Sequence, residues 1–225
     1  MKYLMPPDLV IFDCDGVVLD SEIVACRVEA ELFADAGFPI TVEHIVRHYV
    51  GKSYASMVAE VEAEFGRPPP PDFEARHEAA TLARFAIELE AMPGIVAVLD
   101  RLTRARTRTG IASSSSLARL HASLGKVGLW ERFAPHVYSA EQVRHGKPAP
   151  GLFLLAAERL CAPPARAVVI EDSPTGVKGA LAAGMTAIGF VGGGHCGPDH
   201  ARKLTDAGAT AVIEHLDALP ALLVL

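Results

Sequence analysis

The chain has 225 residues, half of them hydrophobic, and a formal charge of −6, enough length for one large domain or two unequal ones around a substantial core. The acidic balance excludes a general nucleic-acid binder, and there is neither a run long enough to span a bilayer nor a charged, apolar leader, so no membrane association is expected. Cys14, Cys26, Cys161 and Cys196 follow no redox or zinc-like spacing, which is the pattern of reduced thiols in a cytoplasmic protein.

Leu9–Phe12 reads LVIF, an apolar run too short for a helix and bounded by charge, as in a strand buried on both faces of a parallel sheet. Asp13, Cys14, Asp15 and Gly16 follow at its C-terminal end, where open α/β sheets bind ligands. Alternation along the strand turns Asp13 and Asp15 to one side and Cys14 to the core. Gly16 then permits a sharp turn. Asp-x-Asp-Gly taken alone fits an Asx-type turn as well as it fits a site.

Helices are expected at Ser21–Ala36, ended by Gly37 with Pro39 beyond, and at Thr41–Tyr49. A third, capped by Ser53, carries Tyr54, Met57, Val61 and Phe65 on one stripe. Pro68–Pro71 break the pattern, and a fourth helix runs from Asp72 towards Leu89 with Leu82, Phe85 and Leu89 on one face. No strand signal falls between about Ser21 and Met92. Residues 21–89 therefore read as an all-helical insert, with residues 1–20 and 90–225 forming the core.

From Pro93-Gly94 onwards the pattern alternates. Strands are expected at Arg108–Ala112, His136–Ser139, Ala167–Ile170, Thr186–Val191 and Ala211–Ile213. Helices are expected between them at Ile95–Arg104, Leu117–Val127, Pro150–Leu160, Thr175–Ala183 and Ala201–Ala207. Repeated βα units imply an α/β fold, a Rossmann-like parallel sheet with helices on both faces.

Four polar groups follow expected strands: Asp13/Asp15, Ser113/Ser114, Lys147 and Glu171/Asp172. A parallel sheet brings them to one edge. Like-charged carboxylates at about 4 Å cost up to ~4 kcal/mol per pair at an effective dielectric near 20, so a cation is expected to join them. Oxygen-only ligands point to Mg2+. The serine hydroxyl and the backbone N–H groups of the Asp13–Asp15 loop supply donors for phosphate oxygens.

The combination DCDGVVLDSE, IASSS, GKPAP and VIEDSPTGVKGALAAGM resembles the haloacid dehalogenase superfamily, and within it the helical-cap subclass that includes β-phosphoglucomutase and many sugar-phosphate phosphatases. The resemblance implies that Asp13 is the nucleophile, forming an aspartyl-phosphate, and that Asp15 is the general acid and then base. It further implies that Ser113 holds the phosphoryl group and Lys147 neutralises charge. Asp13, Glu171, Asp172 and the backbone carbonyl of Asp15 would hold Mg2+. Cys14, Gly16 and Ser114 would meet the phosphate, and Lys52, Ser53 and Tyr54 of the cap the rest of the substrate. True dehalogenases of the superfamily lack the second aspartate, so Asp15 argues against that activity.

The expected function is a Mg2+-dependent phosphatase acting as a monomer on a small phosphorylated metabolite, a sugar or sugar-acid phosphate. A phosphomutase and a phospho-receiver domain are the alternatives. A lid suits an enzyme, because it excludes water, whereas a receiver must admit a donor protein. The mutase pattern carries a histidine and an arginine where this chain has Ala25 and Tyr54. Of the remaining polar features, Arg101, Arg104, Arg106 and Arg108 read as a solvated helix end. Gly192–Gly194 lack the Lys-Ser/Thr of a P-loop. The spacing of His195, Cys196 and His200 matches no standard zinc site, and they are read instead as a loop next to the active site.

Overall fold

The structure is a computed structural model that describes residues 6–50 and 54–224. Six strands form one parallel sheet: β1 (Leu9–Phe12), β2 (Arg108–Ser113), β3 (Val137–Ser139), β4 (Ala167–Glu171), β5 (Thr186–Phe190) and β6 (Ala211–Ile213), in the order β3-β2-β1-β4-β5-β6. All neighbouring pairs are parallel. The continuous apolar run of β1 lies between β2 and β4, with Phe12 opposite both Ile111 and Ile170, and its four residues are completely buried. This is the burial that an all-apolar strand without alternation requires.

Among the described residues, four helices follow β1 as an insert: α1 (Ser21–Asp35), α2 (Val42–His48), α3 (Tyr54–Phe65) and α4 (Phe73–Glu88). Gly37, at φ +77°, closes the first, and the Thr41 hydroxyl caps the second by accepting from the His44 N–H at 3.2 Å. These helices enclose an apolar cluster of their own, built on Phe33, Phe38, Ile45, Met57, Val61 and Phe73. The Phe33 and Phe73 ring centroids lie 4.4 Å apart. The strands that enter and leave this unit run side by side: the Asp20 N–H donates to the Glu90 carbonyl at 3.2 Å, and the Met92 N–H to the Val18 carbonyl at 2.8 Å.

The sheet is covered on both faces. Val10, Phe12 and Cys14 pack under α5 (Ile95–Arg104), α6 (Leu117–Lys126) and α7 (Trp130–Phe133). On the other face Leu9, Ile11 and Val169 pack against α8 (Gly151–Arg159), α9 (Pro174–Ala182) and α10 (His200–Asp206). A final short helix, α11 (Leu219–Leu222), returns to the α5 side.

Two details differ from the sequence reading. Leu82 is 40% exposed, and the buried stripe of α4 is Phe73, Thr81 and Phe85. Leu82 follows Thr81 by one residue, about 100° round the helix, which takes it off that face. The single-turn helices α7 and α11 had no sequence signal, because four residues cannot display a helical period.

Candidate active site

The C-terminal ends of β1, β2 and β4 open onto a cleft of about 580 Å³, lined by Asp13, Asp15, Ser113, Ser114, Lys147 and Asp172 from the core and by Glu22, Val46, Val50 and Glu78 from the helical insert. Asp13 directly continues β1, its N–H donating to the Ile170 carbonyl at 2.9 Å. Strand alternation delivers the rest: Cys14 is fully buried in the core cluster, while Asp13 and Asp15 both reach the cleft.

Lys147 is the hub. Its Nζ lies 2.6 Å from Asp13 Oδ1 and 2.5 Å from Glu171 Oε1, and only 4% of its side chain is exposed. Burial works against the ammonium, but Asp13 and Glu171 outweigh it and hold the Lys147 pKa above the usual lysine value. Burial pushes the Asp13 carboxyl well up, against the pull of Lys147 and reinforced by Glu171 and Asp172. Asp172 is likewise raised, first by burial and then by Glu171. One cation does not balance this set of carboxylates.

Carboxylate oxygens of Asp13, Glu171 and Asp172 lie within 4.8 Å of one another. A buried, oxygen-only donor set with surplus negative charge fits a hard divalent cation. Glu171 is completely buried and already engaged on both oxygens: Oε1 meets Lys147, and Oε2 accepts from the Ser173 N–H at 3.0 Å and from its hydroxyl at 2.8 Å. Gly176 has no side chain because the Glu171 carboxyl fills that space.

The expected gathering of four carboxylates is corrected to three. The Asp15 carboxylate turns away to partners of its own: Ser21 Oγ at 2.7 Å, Ser115 Oγ at 2.6 Å and the Arg119 guanidinium at 3.5 Å. Two donors and a cation stabilise it locally, so it needs no shared ion. Gly16 shapes the turn. Its N–H donates to the Leu19 carbonyl at 2.8 Å, which commits that donor to the turn rather than to a ligand. What the turn needs is φ +77° and no Cβ, because a Cβ there would collide with Asp172 and with the His195 ring.

Tyr54 does not line the catalytic cleft. It belongs to a smaller cavity of about 220 Å³ within the helical insert, together with Glu29, Tyr49 and His77. Lys52 and Ser53 lie outside the described residues. Sequence reasoning did not single out Ser21, Ser115 or Arg119, and it gave His195 and His200, the partners of Asp172, a place in a loop next to the site but no role. His195 Nε2 lies 3.0 Å from Asp172 Oδ2, and His200 Nε2 lies 2.5 Å from the Asp172 carbonyl oxygen. Ser115 stood within the serine run and Ser21 within DCDGVVLDSE; no sequence signal tied Arg119 to the site.

A parallel sheet with a helical insert after its first strand, and a carboxylate–lysine cluster at its edge, defines a class that the comparisons identify. A family model described as haloacid dehalogenase-like hydrolase matches residues 7–184. The chain belongs to that family, as a phosphoric monoester hydrolase. It is 26% identical over 216 residues to a 6-phosphogluconate phosphatase of Escherichia coli K12, covering 96% of this chain and 94% of the relative. It is 30% identical over 209 residues to a phosphorylated carbohydrates phosphatase of Thermotoga maritima, covering 92% and 94%. Among solved structures, a conserved haloacid dehalogenase-like protein of unknown function from Agrobacterium tumefaciens C58 is 42% identical, with a TM-score of 0.91 over 96% of this chain and 97% of that one.

Proposed function

We propose that the chain hydrolyses the phosphoric monoester of a small sugar or sugar acid, through an aspartyl-phosphate on Asp13. The observation that carries this reading is the Asp13 carboxylate at the cleft, held at 2.6 Å by a buried Lys147. In line with that geometry, an Asp13 oxygen attacks phosphorus, the ester P–O bond breaks, and Asp15 gives a proton to the departing alcohol oxygen. Water then attacks the same phosphorus, Asp15 takes its proton, and phosphate leaves with Asp13 restored as a carboxylate. Ser113 and Ser114 hold phosphoryl oxygens, and Lys147 stabilises the charge shared between Asp13 and the phosphoryl group. Asp13 and Asp172, with Glu171 and the Asp15 carbonyl, would hold Mg2+. When bound there, the ion supplies further charge neutralisation at the phosphoryl oxygens.

Residues 21–89 act in this reading as a cap over the cleft, excluding water and contacting the leaving group through Glu22, Val46, Val50 and Glu78. Transfer to water rather than back to sugar is supported at Ala25, where the mutase pattern carries a histidine. His77 approaches that place, but its Nε2 is engaged 3.2 Å from the Ala25 carbonyl oxygen, and burial lowers its pKa.

The test is phosphate release from a panel of about a hundred phosphorylated metabolites with Mg2+, run beside Asp13→Asn. Sugar phosphates are expected to give sustained turnover and the variant none, since an amide of the same shape is a poor nucleophile. Retention of a tenth of the activity in Asp13→Asn refutes the nucleophile. Efficient conversion of β-glucose 1-phosphate to glucose 6-phosphate, with catalytic glucose 1,6-bisphosphate present, refutes hydrolysis.

A further inference from the structure

The loop that follows β5 carries a histidine whose surroundings the hydrolytic roles do not explain. His195 is 2% exposed, and its Nε2 lies 3.0 Å from Asp172 Oδ2. Its other ring nitrogen, Nδ1, is buried and has no hydrogen-bond partner among the described residues. A neutral ring carries one hydrogen. On Nδ1 that hydrogen would be buried without an acceptor, and Nε2 would set its lone pair against a carboxylate oxygen. On Nε2 it is donated to Asp172. The second tautomer is the one that this packing stabilises.

The ring is fixed on three sides. Gly16, with no Cβ, leaves the space in which the ring and the Asp172 carboxylate meet: a Cβ there would lie 2.7 Å from the ring carbon Cε1. A Cβ at Gly193 would lie equally close to Cε1 and Nδ1, so the backbone of the loop abuts the ring on another side. The neighbouring Gly194 N–H donates to Asp20 Oδ1 at 3.0 Å, which ties the loop to the start of the helical insert. From the same loop region His200 reaches the Asp172 backbone oxygen. Asp172 is thus held by its side chain and by its main chain.

We propose that His195 is a positioning residue: its Nε2–H holds Asp172 Oδ2, so that the remaining oxygen, Oδ1, is presented to a divalent cation. This rests on the reading that Asp172 helps to hold Mg2+. A carboxylate free to rotate must be ordered on binding, whereas one already held by a hydrogen bond does not. Partners of this kind are worth about 10–100-fold in metal affinity.

The experiment measures Mg2+ binding by calorimetry in the intact chain, with His195→Leu and His195→Gln as the variants. Leucine fills the space without a donor, and glutamine places an N–H near the position of Nε2. His195→Leu is expected to weaken Mg2+ binding about tenfold or more, with His195→Gln recovering most of the loss. A smaller loss in His195→Leu, or equal losses in both variants, overturns the proposal. A second measurement needs no variant: imidazole 15N shifts of the wild-type chain are expected to report His195 with its hydrogen on Nε2. A hydrogen on Nδ1 overturns the proposal even if His195→Leu fails to fold. Absence of Mg2+ uptake by the wild-type chain refutes the metal reading instead, and the tautomer then decides whether His195 holds Asp172.

Discussion

Lys147→Met tests the electrostatic centre of the site. Methionine keeps a stem of similar length beside Phe153, whose ring centroid lies 5.3 Å from the Lys147 nitrogen, and removes the only cation in direct contact with Asp13 and Glu171 among the described ion pairs. Both carboxylates are buried, so water cannot replace the lost partner. Breaking a buried pair in this way costs about 3–5 kcal/mol, and a chain of this size loses about 2–4 °C of Tm per kcal/mol. The expected fall is therefore about 6–20 °C in metal-free buffer at pH 8, followed by circular dichroism. The pH dependence has a definite sign. Asp13 already has a raised folded pKa, and losing the cation raises it further. The penalty is absent below the unfolded carboxylate pKa, grows as pH climbs towards the raised folded one of the variant, and is fully present above it. The deficit should then shrink at pH 5. Adding Asp13→Asn to Lys147→Met removes a second charge and should recover part of the lost Tm. A Tm within 2 °C of wild type at pH 8, or a double variant no more stable than the single, would refute this account.

Two further outcomes follow from the same geometry. Asp172→Ala should raise the Mg2+ concentration for half-maximal phosphate release by tenfold or more while changing Tm little, because the metal-free site is relieved of a buried carboxylate with a raised pKa; an unchanged Mg2+ dependence removes Asp172 from the metal site. Glu22, raised to about 7 chiefly by burial and then by Asp15 and Asp172, destabilises the folded metal-free chain as pH rises from about 4.5 to 7. Glu22→Gln should gain stability on wild type across that window by up to about 3 kcal/mol; urea titrations at pH 4.5 and 7.5 that show no such divergence disprove it.

The sheet was legible because doubly buried strands write themselves as short apolar runs: LVIF, AVVI and TAIGF. The residues that meet at the cleft were legible as neighbours because each directly follows such a run or stands in a short motif, as Lys147 does. What stayed hidden depends on contacts between distant parts of the chain. Asp15 meets Ser115 across 100 residues, and nothing in the serine run distinguishes Ser115 from Ser113. His195 meets Asp172 only because β5 runs beside β4 and its loop folds back over Gly16. Tyr54 was assigned to the catalytic cleft by position in the chain, but it lines the cavity inside the insert, since side-chain direction on α3 is set by packing against Phe33 and its neighbours.

The central place of β1 bears on the order in which the molecule can be completed as it is synthesised. Leu9 pairs on one side with Arg108 and on the other with Ala167. The strand that leads into Asp13 is therefore made long before either neighbour exists, and must wait with its apolar side chains unpaired. The helical unit after it is different, because its apolar cluster draws on residues between Cys26 and Ala80 and such local contacts form early. On the ribosome the insert can condense while β1 is still exposed, and the catalytic edge closes only once β4 has emerged. The vulnerable interval of this protein is thus the stretch of translation between Arg108 and Glu171. A chaperone that shields LVIF during that interval would protect the active site before it exists.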